Sequence, residues 1–305
     1  MPRTIEIALP PEKTDPLLER LQGLETVTGL SLQRGASLDP PGDIVRAEAT
    51  NEGTRAVLDL VAQMDVLQGG SVRTTEPRSL LSPPYQNGIE KESNETIWEE
   101  MAFLLRRDTN ISVNYLSLMA LSGGVAAVGL WTDTLHIVIG AMVIAPGFEP
   151  LLRIPFGFVA GPRVLASRGL LSSLAGYLLL ALGAALTLLL LRAVDLGQTA
   201  DLEARSWVRY WSEVTPPGVL LSFLAGLAGA MVVTAQRPVL SAGVMIALAL
   251  IPAASIVGMA LVVGDPVLAG RGLVRWSVEA AAVIGAGALV LGLKQAFLHR
   301  RNAVG

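Results

Sequence analysis

The sequence predicts an α-helical membrane bundle of six transmembrane helices, preceded by a small N-terminal α+β domain. Three observations predict it. Of the 305 residues, 51% are hydrophobic and only 16% are charged, with mean hydropathy +0.53. That composition belongs to a membrane protein rather than to a disordered or nucleic-acid-binding chain. The stretches apolar enough to cross a bilayer all begin at or after Val113. The charge is unevenly spread: residues 1–112 carry 11 Lys/Arg against 18 Asp/Glu, and the remainder carries 12 against 8.

The front domain is placed at residues 1–82. Ile5, Ile7 and Leu9 alternate with polar neighbours, which predicts a strand. PEKTDPLLERLQGLE predicts a helix, with Asp15 as N-cap, Pro16 at the first helical position and Leu17, Leu18, Leu21 and Leu24 on one side. VTGLSLQR and DIVRAEAT are strand candidates across the turn-rich DPPGD. Asn51 is the expected cap of a helix with Val57, Leu60, Val61 and Met64 on its apolar face. GGSVRTTE supplies a last strand. The order is βαββαβ, a ferredoxin-like arrangement. Two roles stand open for it: a ligand-sensing or oligomerising module, or a solubilising cap.

Residues 83–112 are expected to hold a linker and an amphipathic helix. The linker signal, EPRSLLSPPYQNGIEKES, is rich in Pro, Ser and charge. NETIWEEMAFLLRRD follows, with Asn94 as N-cap, Ile97, Met101, Leu104 and Leu105 on one face, and Arg106 and Arg107 in the last turn. It reads either as a helix lying on the membrane surface or as an extension of the first span.

Residues 113–305 contain six stretches of the roughly twenty apolar residues that a crossing needs. They cover about 113–131, 135–160, 169–191, 218–235, 239–263 and 273–294. WTDT and QRP make tight connections; GPRVLASR, Arg192–Pro217 and DPVLAGRG are longer loops. With the N terminus inside, the inner flanks hold Arg106, Arg107, Arg163, Arg168, Arg237, Lys294, Arg300 and Arg301. The outer flanks hold Arg192, Arg205, Arg209, Arg271 and Arg275. This bias, and first residues without a signal-peptide core, predict a multi-pass protein of the inner (plasma) membrane with both termini cytoplasmic. Trp207, Tyr210 and Trp211 suggest an interfacial helix in the outer loop, or packing on a neighbouring protomer.

Two of the six stretches are interrupted. Gly140–Phe158 contains Pro146, Pro150 and Pro155, together with Glu149 and Arg153. Gly243–Gly264 contains Pro252. Lipid cannot satisfy a freed backbone group, so such breaks belong where protein or water replaces the lost bond. Paired broken helices in two halves of a chain point to a transport site. Sliding 121–142 over 224–245 matches Leu121, Gly123, Ala127, Gly140 and Met142 with Leu224, Gly226, Ala230, Gly243 and Met245. Three spans per half would make this a 3+3 inverted repeat, although Pro146 and Pro252 fall three residues out of step. Gly123 with Ala127, Ala281 with Gly285 and Ala288 with Gly292 are spaced for close helix packing, within the bundle or between copies in a homo-oligomer.

The run LSGGVAAVGLWTDTLHIVIGAMVIAPGFEPLL resembles the signature of an uncharacterised bacterial and archaeal membrane family, the domain of unknown function 389. Asp133, Gly140, Ala141, Met142, Ala145, Pro146 and Pro150 fit that signature, and ALIPAASIVGMAL is similar to the family's second proline-containing span. Glu149 stands where the pattern has glycine, and Ala253 where it has a second proline. The resemblance covers about residues 95–297. It implies topology and lends no chemistry.

The candidate pathway residues are Pro146, Gly147, Glu149, Pro150, Arg153, Pro252, Ala253 and Ser255. Glu149 and Arg153 are spaced to share a helix face and pair. They form a proton- or cation-linked site, or a hydrated pair near the inner interface. Pro252 frees a carbonyl near Leu248, and Ser255 offers a hydroxyl to the site or to its own helix. Asp133 and His136 flank the outer hairpin, and Asn114 and Ser117 open the first span. The chain has no cysteine, only His136 and His299 as histidines, and no nucleotide-binding, zinc-protease or nucleophile-elbow motif. The expectation is therefore no enzyme, no metal and no cofactor. The expected partners are the lipid bilayer, a small solute or ion, and further copies of the chain, with no nucleic acid. The favoured function is passage of a small solute or ion, with the front domain as regulator. The alternative is a membrane sensor or scaffold whose soluble domain binds a ligand or partner.

Overall fold

A computed structural model of the chain describes residues 3–75, 98, 101–102, 105, 110–159, 163–194, 202–235 and 241–297. The chain divides into two compact units, residues 1–97 and 98–305.

In the first unit the elements run β1 (Arg3–Leu9), α1 (Pro11–Gln22), β2 (Val27–Leu38), β3 (Pro41–Ala49), α2 (Asn51–Gln63) and β4 (Ser71–Thr75). The sheet order is β2-β3-β1-β4, and every neighbouring pair is antiparallel. Alternation works as read: Ile5, Ile7 and Leu9 are fully buried, against Leu17 and Leu21 of α1 and Val57 and Val61 of α2. Both predicted caps move. α1 begins at Pro11, because a proline at the first helical position gives up an amide that would be orphaned anyway; Pro16 lies inside the helix. Asp15 instead pairs with Arg34 at 2.6 Å. Thr50, not Asn51, caps α2, accepting from the Gly53 amide at 3.2 Å.

In the second unit, Trp98, Met101 and Leu105 are helical and buried in its core, with Trp98 5.8 Å from the Phe156 ring. These three positions thus pack inward; Asn94, Ile97, Leu104, Arg106 and Arg107 fall outside the described residues. Then follow α3 (Val113–Trp131), α4 (Leu135–Ile144), α5 (Phe148–Val159) and α6 (Arg163–Val194). A 3₁₀ turn (Leu202–Ala204) and α7 (Ser206–Ser212) lead to α8 (Pro216–Thr234), α9 (Ser241–Ala247), α10 (Leu250–Val263) and α11 (Pro266–Phe297).

Among the described residues, α3, α6, α8 and α11 are each long and apolar enough to cross a membrane. The pair α4 and α5, bent by 44°, makes a fifth if it counts as one crossing. The remaining expected stretch, about 239–263, is present as two short helices, α9 and α10. α6 and α11 each run for 32 residues, so GPRVLASR and DPVLAGRG are largely helix instead of loop. Such a helix is about 48 Å long, beyond the roughly 30 Å hydrocarbon core. Hydropathy marks what lipid covers, while a helix continues until something interrupts its backbone ladder. At the α10–α11 turn that interruption is Gly264 at φ +77° and Asp265, whose Oδ1 caps Val267 and Leu268.

The first and second sets of helices share dimensions. α3 and α8 both have 19 residues and start 103 positions apart. α6 and α11 both have 32 residues and also start 103 apart. Packing keeps that register. Gly123 lies against Leu180 and Gly226 against Val283; Gly169 lies on Pro150, Arg153 and Ile154, and Gly272 on Ala253, Ile256 and Val257. α5 and α10 each pack against both long helices, α6 and α11. Leu170, Leu174, Leu178, Leu182, Leu186 and Leu190 form an exposed stripe on α6, the face that acyl chains would cover. Gly285 and Gly292 have open space beside them, whereas Gly123 packs internally.

Candidate functional site at the two helix breaks

The first break is Ala145-Pro146-Gly147, between α4 and α5. Hydroxyl donors from other helices meet carbonyls on either side of it. Ser122 of α3 donates to Ala141 O at 2.7 Å, and Tyr177 of α6 donates to Gly147 O at 3.1 Å. Within the segment, Ala145 N donates to Ala141 O and Gly147 N to Ala145 O. Gly147 permits a close approach: a Cβ on it would lie 2.6 Å from the Tyr177 hydroxyl and 3.1 Å from Ile251 Cδ1.

That last contact brings the two breaks together, because Ile251 lies in the first turn of α10. The second break is Leu248-Ala249. The Ala249 amide donates to Glu279 Oε2 at 3.3 Å, and Glu279 Oε1 lies 2.6 Å from Arg275 Nη2. Both charged side chains are buried on α11. Arg275 Nη1 donates to Glu213 O at 3.2 Å, and the Ser222 hydroxyl of α8 lies beside the Glu279 carboxylate. Trp276, next to Arg275, sets its ring edge-on to Tyr177 at 5.0 Å.

Pro146 sits in the break itself, but Pro150 and Pro252 do not break anything. Each is the third residue of its half-helix, where the missing amide would lack a helical partner in any case. Glu149 is half-buried in the first turn of α5, and Arg153 is fully buried one turn on. Glu149 is within electrostatic reach of the Tyr115 and Tyr177 hydroxyls. Pro252, Ala253 and Ser255 are buried at the head of α10, and Ser255 donates to its own helix at Ile251 O, 2.9 Å away. The Leu248 carbonyl expected to be freed by Pro252 lies in the break, outside the helix.

Sequence reasoning missed Tyr177, Tyr115, Ser122 and the pair Arg275–Glu279. Arg275 was expected on an outer flank; it is buried inside α11. The signal was present, since Arg275 and Glu279 have the same four-residue spacing that singled out Glu149 and Arg153. Among the described residues, no three His, Asp or Glu side chains converge as a metal site.

The outer connection is tied to this framework. Trp207 N donates to Asp133 Oδ1 at 3.0 Å, and that bond holds the Asp133 carboxyl below its ordinary range. Trp207, Tyr210 and Trp211 pack on one another, and Trp211 is buried while Tyr210 is exposed. Two surface pockets, of about 340 and 560 Å³, share Ser212, Glu213 and Arg271. His136, Asn114 and Ser117 are exposed.

An uncharacterized protein of Methanocaldococcus jannaschii (MJ0678) is 23% identical over 210 residues, 67% of this chain. The chain spans 62% of that relative's length. No solved structure matches. Residues 142–285 match the family described as Domain of unknown function (DUF389), the family that the Gly140–Pro150 motif resembled.

Proposed function

We propose that the membrane unit passes a small solute or ion through a site between the two helix breaks. One observation carries this: both breaks lie inside the bundle, in contact through Gly147 and Ile251, with Glu149, Arg153, Arg275 and Glu279 around them. Ionisable side chains at such depth cost free energy and mark ion or solute pathways. In this reading α9 and α10 form one broken crossing, the crossings number six, and the 103-residue register is a 3+3 inverted repeat. An odd number of crossings per half turns the second half over. Both termini are then cytoplasmic, and the front domain regulates the pathway.

Reconstituted vesicles test it. Proton, sodium, potassium and chloride flux are each followed for the native chain, Glu149→Gln and Arg153→Ala. At least one native flux is expected, reduced in both variants; unchanged flux across pH removes the site.

A sensor or scaffold is the second reading. The close packing at Gly147 and the self-satisfied Ser255 favour it. It predicts no flux in any variant.

A further inference from the structure

A buried ion pair in a membrane bundle needs a reason beyond packing, because an apolar pair of similar size fills the same space at no desolvation cost. The first half of the membrane unit shows that the packing can do without one. Tyr115, Ser172 and Gly176 stand 103 positions before Gly218, Arg275 and Glu279. In the first set, the Tyr115 hydroxyl crosses to Ser172 O at 2.9 Å, and Gly176 leaves room for the phenol. In the second set the glycine is on the other helix. A Cβ on Gly218 would lie 2.6 Å from Arg275 Nη1. One half fills this niche with a neutral phenol; the other fills it with a guanidinium and a carboxylate.

The charged pair also lies on a line. Glu213 lines both surface pockets, and its carbonyl receives Arg275 Nη1. Arg275 Nη2 holds Glu279, and Glu279 holds the Ala249 amide in the second break. Hydrogen-bonded groups thus run unbroken from a solvent-exposed pocket to the head of α10.

We propose that Glu279 is a proton-exchanging carboxylate at the second break, reached from the Ser212–Glu213–Arg271 pocket, with Arg275 as its counter-charge. This deepens the pathway reading and rests on it. The groups facing Glu279 are Arg275 on its own helix, Ser222 from α8, the Ala249 amide at the head of α10, and the Tyr177 hydroxyl of α6 within electrostatic reach. On uptake, a hydronium that reaches Glu279 from the pocket loses one O–H bond and the proton forms one at a Glu279 oxygen, since a guanidinium that keeps its charge does not relay the proton. The carboxylate charge is neutralised, and Arg275 keeps its charge and its bond to Glu213 O. A neutral carboxyl accepts more weakly from the Ala249 amide, so the head of α10 is released. Loss of the proton restores the latch.

The test uses the full chain in phosphatidylcholine vesicles. Infrared titration follows the carboxylic-acid C=O stretch as the pH is lowered. The native chain and Glu149→Gln are expected to show, beside the bands of the other carboxyls, a titrating component that Glu279→Gln lacks. The triple replacement Gly218→Tyr, Arg275→Ser, Glu279→Gly installs the neutral set of the first half. It is expected to melt near the native temperature and to lack the component as well. A native chain whose titration matches that of Glu279→Gln overturns the proposal, as does a folded triple variant that keeps the component. Failure of the pathway reading is seen separately, as unchanged ion flux in Glu149→Gln and Arg153→Ala.

Discussion

The two halves of the membrane unit answer the same backbone problem with opposite chemistry. Each half has a break between two short helices, and each break needs partners for its backbone. In the first half hydroxyl donors come to carbonyls beside the break: Ser122 to Ala141 and Tyr177 to Gly147. The second half sends an acceptor to a stranded amide: Glu279 to Ala249. A hydroxyl needs no partner beyond its acceptor. A buried carboxylate needs a counter-charge, so the second half also carries Arg275, and Gly218 makes room for it. The lesson is that a shared frame of helices constrains volume and register, not the charge of what fills it.

Four experiments sharpen or break this comparison. Removing one charge of the pair has the largest expected effect. Arg275→Met leaves Glu279 buried without its counter-charge and should cost about 3–5 kcal/mol, read by thermal unfolding in detergent. The double variant Arg275→Met, Glu279→Leu should recover most of that loss; a double variant as unstable as the single one would mean that the pair is needed for folding. Next come the glycine contacts. Gly123→Ala drives a Cβ onto the Leu180 carbonyl, whereas in Gly226→Ala the nearest atom is the Ala286 side chain at 2.9 Å. Both overpack, by about 1–3 kcal/mol, with the first-half variant worse. Equal losses would contradict the tighter contact assigned to the first half.

Tyr177→Phe removes only the hydroxyl that serves Gly147 and should cost about 1 kcal/mol, in the range of one net hydrogen bond. Its effect should add to that of Arg275→Met if the two breaks are satisfied independently, which a double-mutant cycle measures. The smallest effect concerns the outer connection. The Trp207 amide, foremost, depresses the Asp133 carboxyl in the folded state. Its stabilisation is therefore complete above the unfolded-state value, near 3.8, and is lost as pH falls through the lower folded one. Acidification through that range should change the fluorescence of the Trp207–Trp211 cluster, and Asp133→Asn should abolish the step. A step that persists in Asp133→Asn would assign it to another group.

Much of this was legible in the residues. Alternation at Ile5, Ile7 and Leu9, and helical spacing at Leu17, Leu21, Val57 and Val61, gave the front domain's order, because each pattern needs only neighbours in sequence. The cap of α2 shifted by one residue because Thr50 and Asn51 are both competent, and geometry chooses between them. The first crossing was legible end to end, since Ser112 caps it and Thr132 closes it. The long helices were not, since an apolar window stops at Arg168 and Lys294 while the backbone ladder does not. Glu149 and Arg153 stood out as charges among prolines. Arg275 and Glu279 hid at the edge of a span, where charges are ordinary.

The sequence by itself determined that this chain is a membrane protein, that two of its apolar stretches are interrupted, and that a small α+β domain precedes them. Composition and periodicity are local quantities, and these conclusions need nothing else. Only the tertiary structure decided what answers each interruption. Ser122, Tyr177 and Glu279 lie 19, 30 and 30 residues from the groups they satisfy, and nothing in a local pattern brings them there. Lipid offers no hydrogen bonds, so the partner had to come from another helix, and helix packing chose which one.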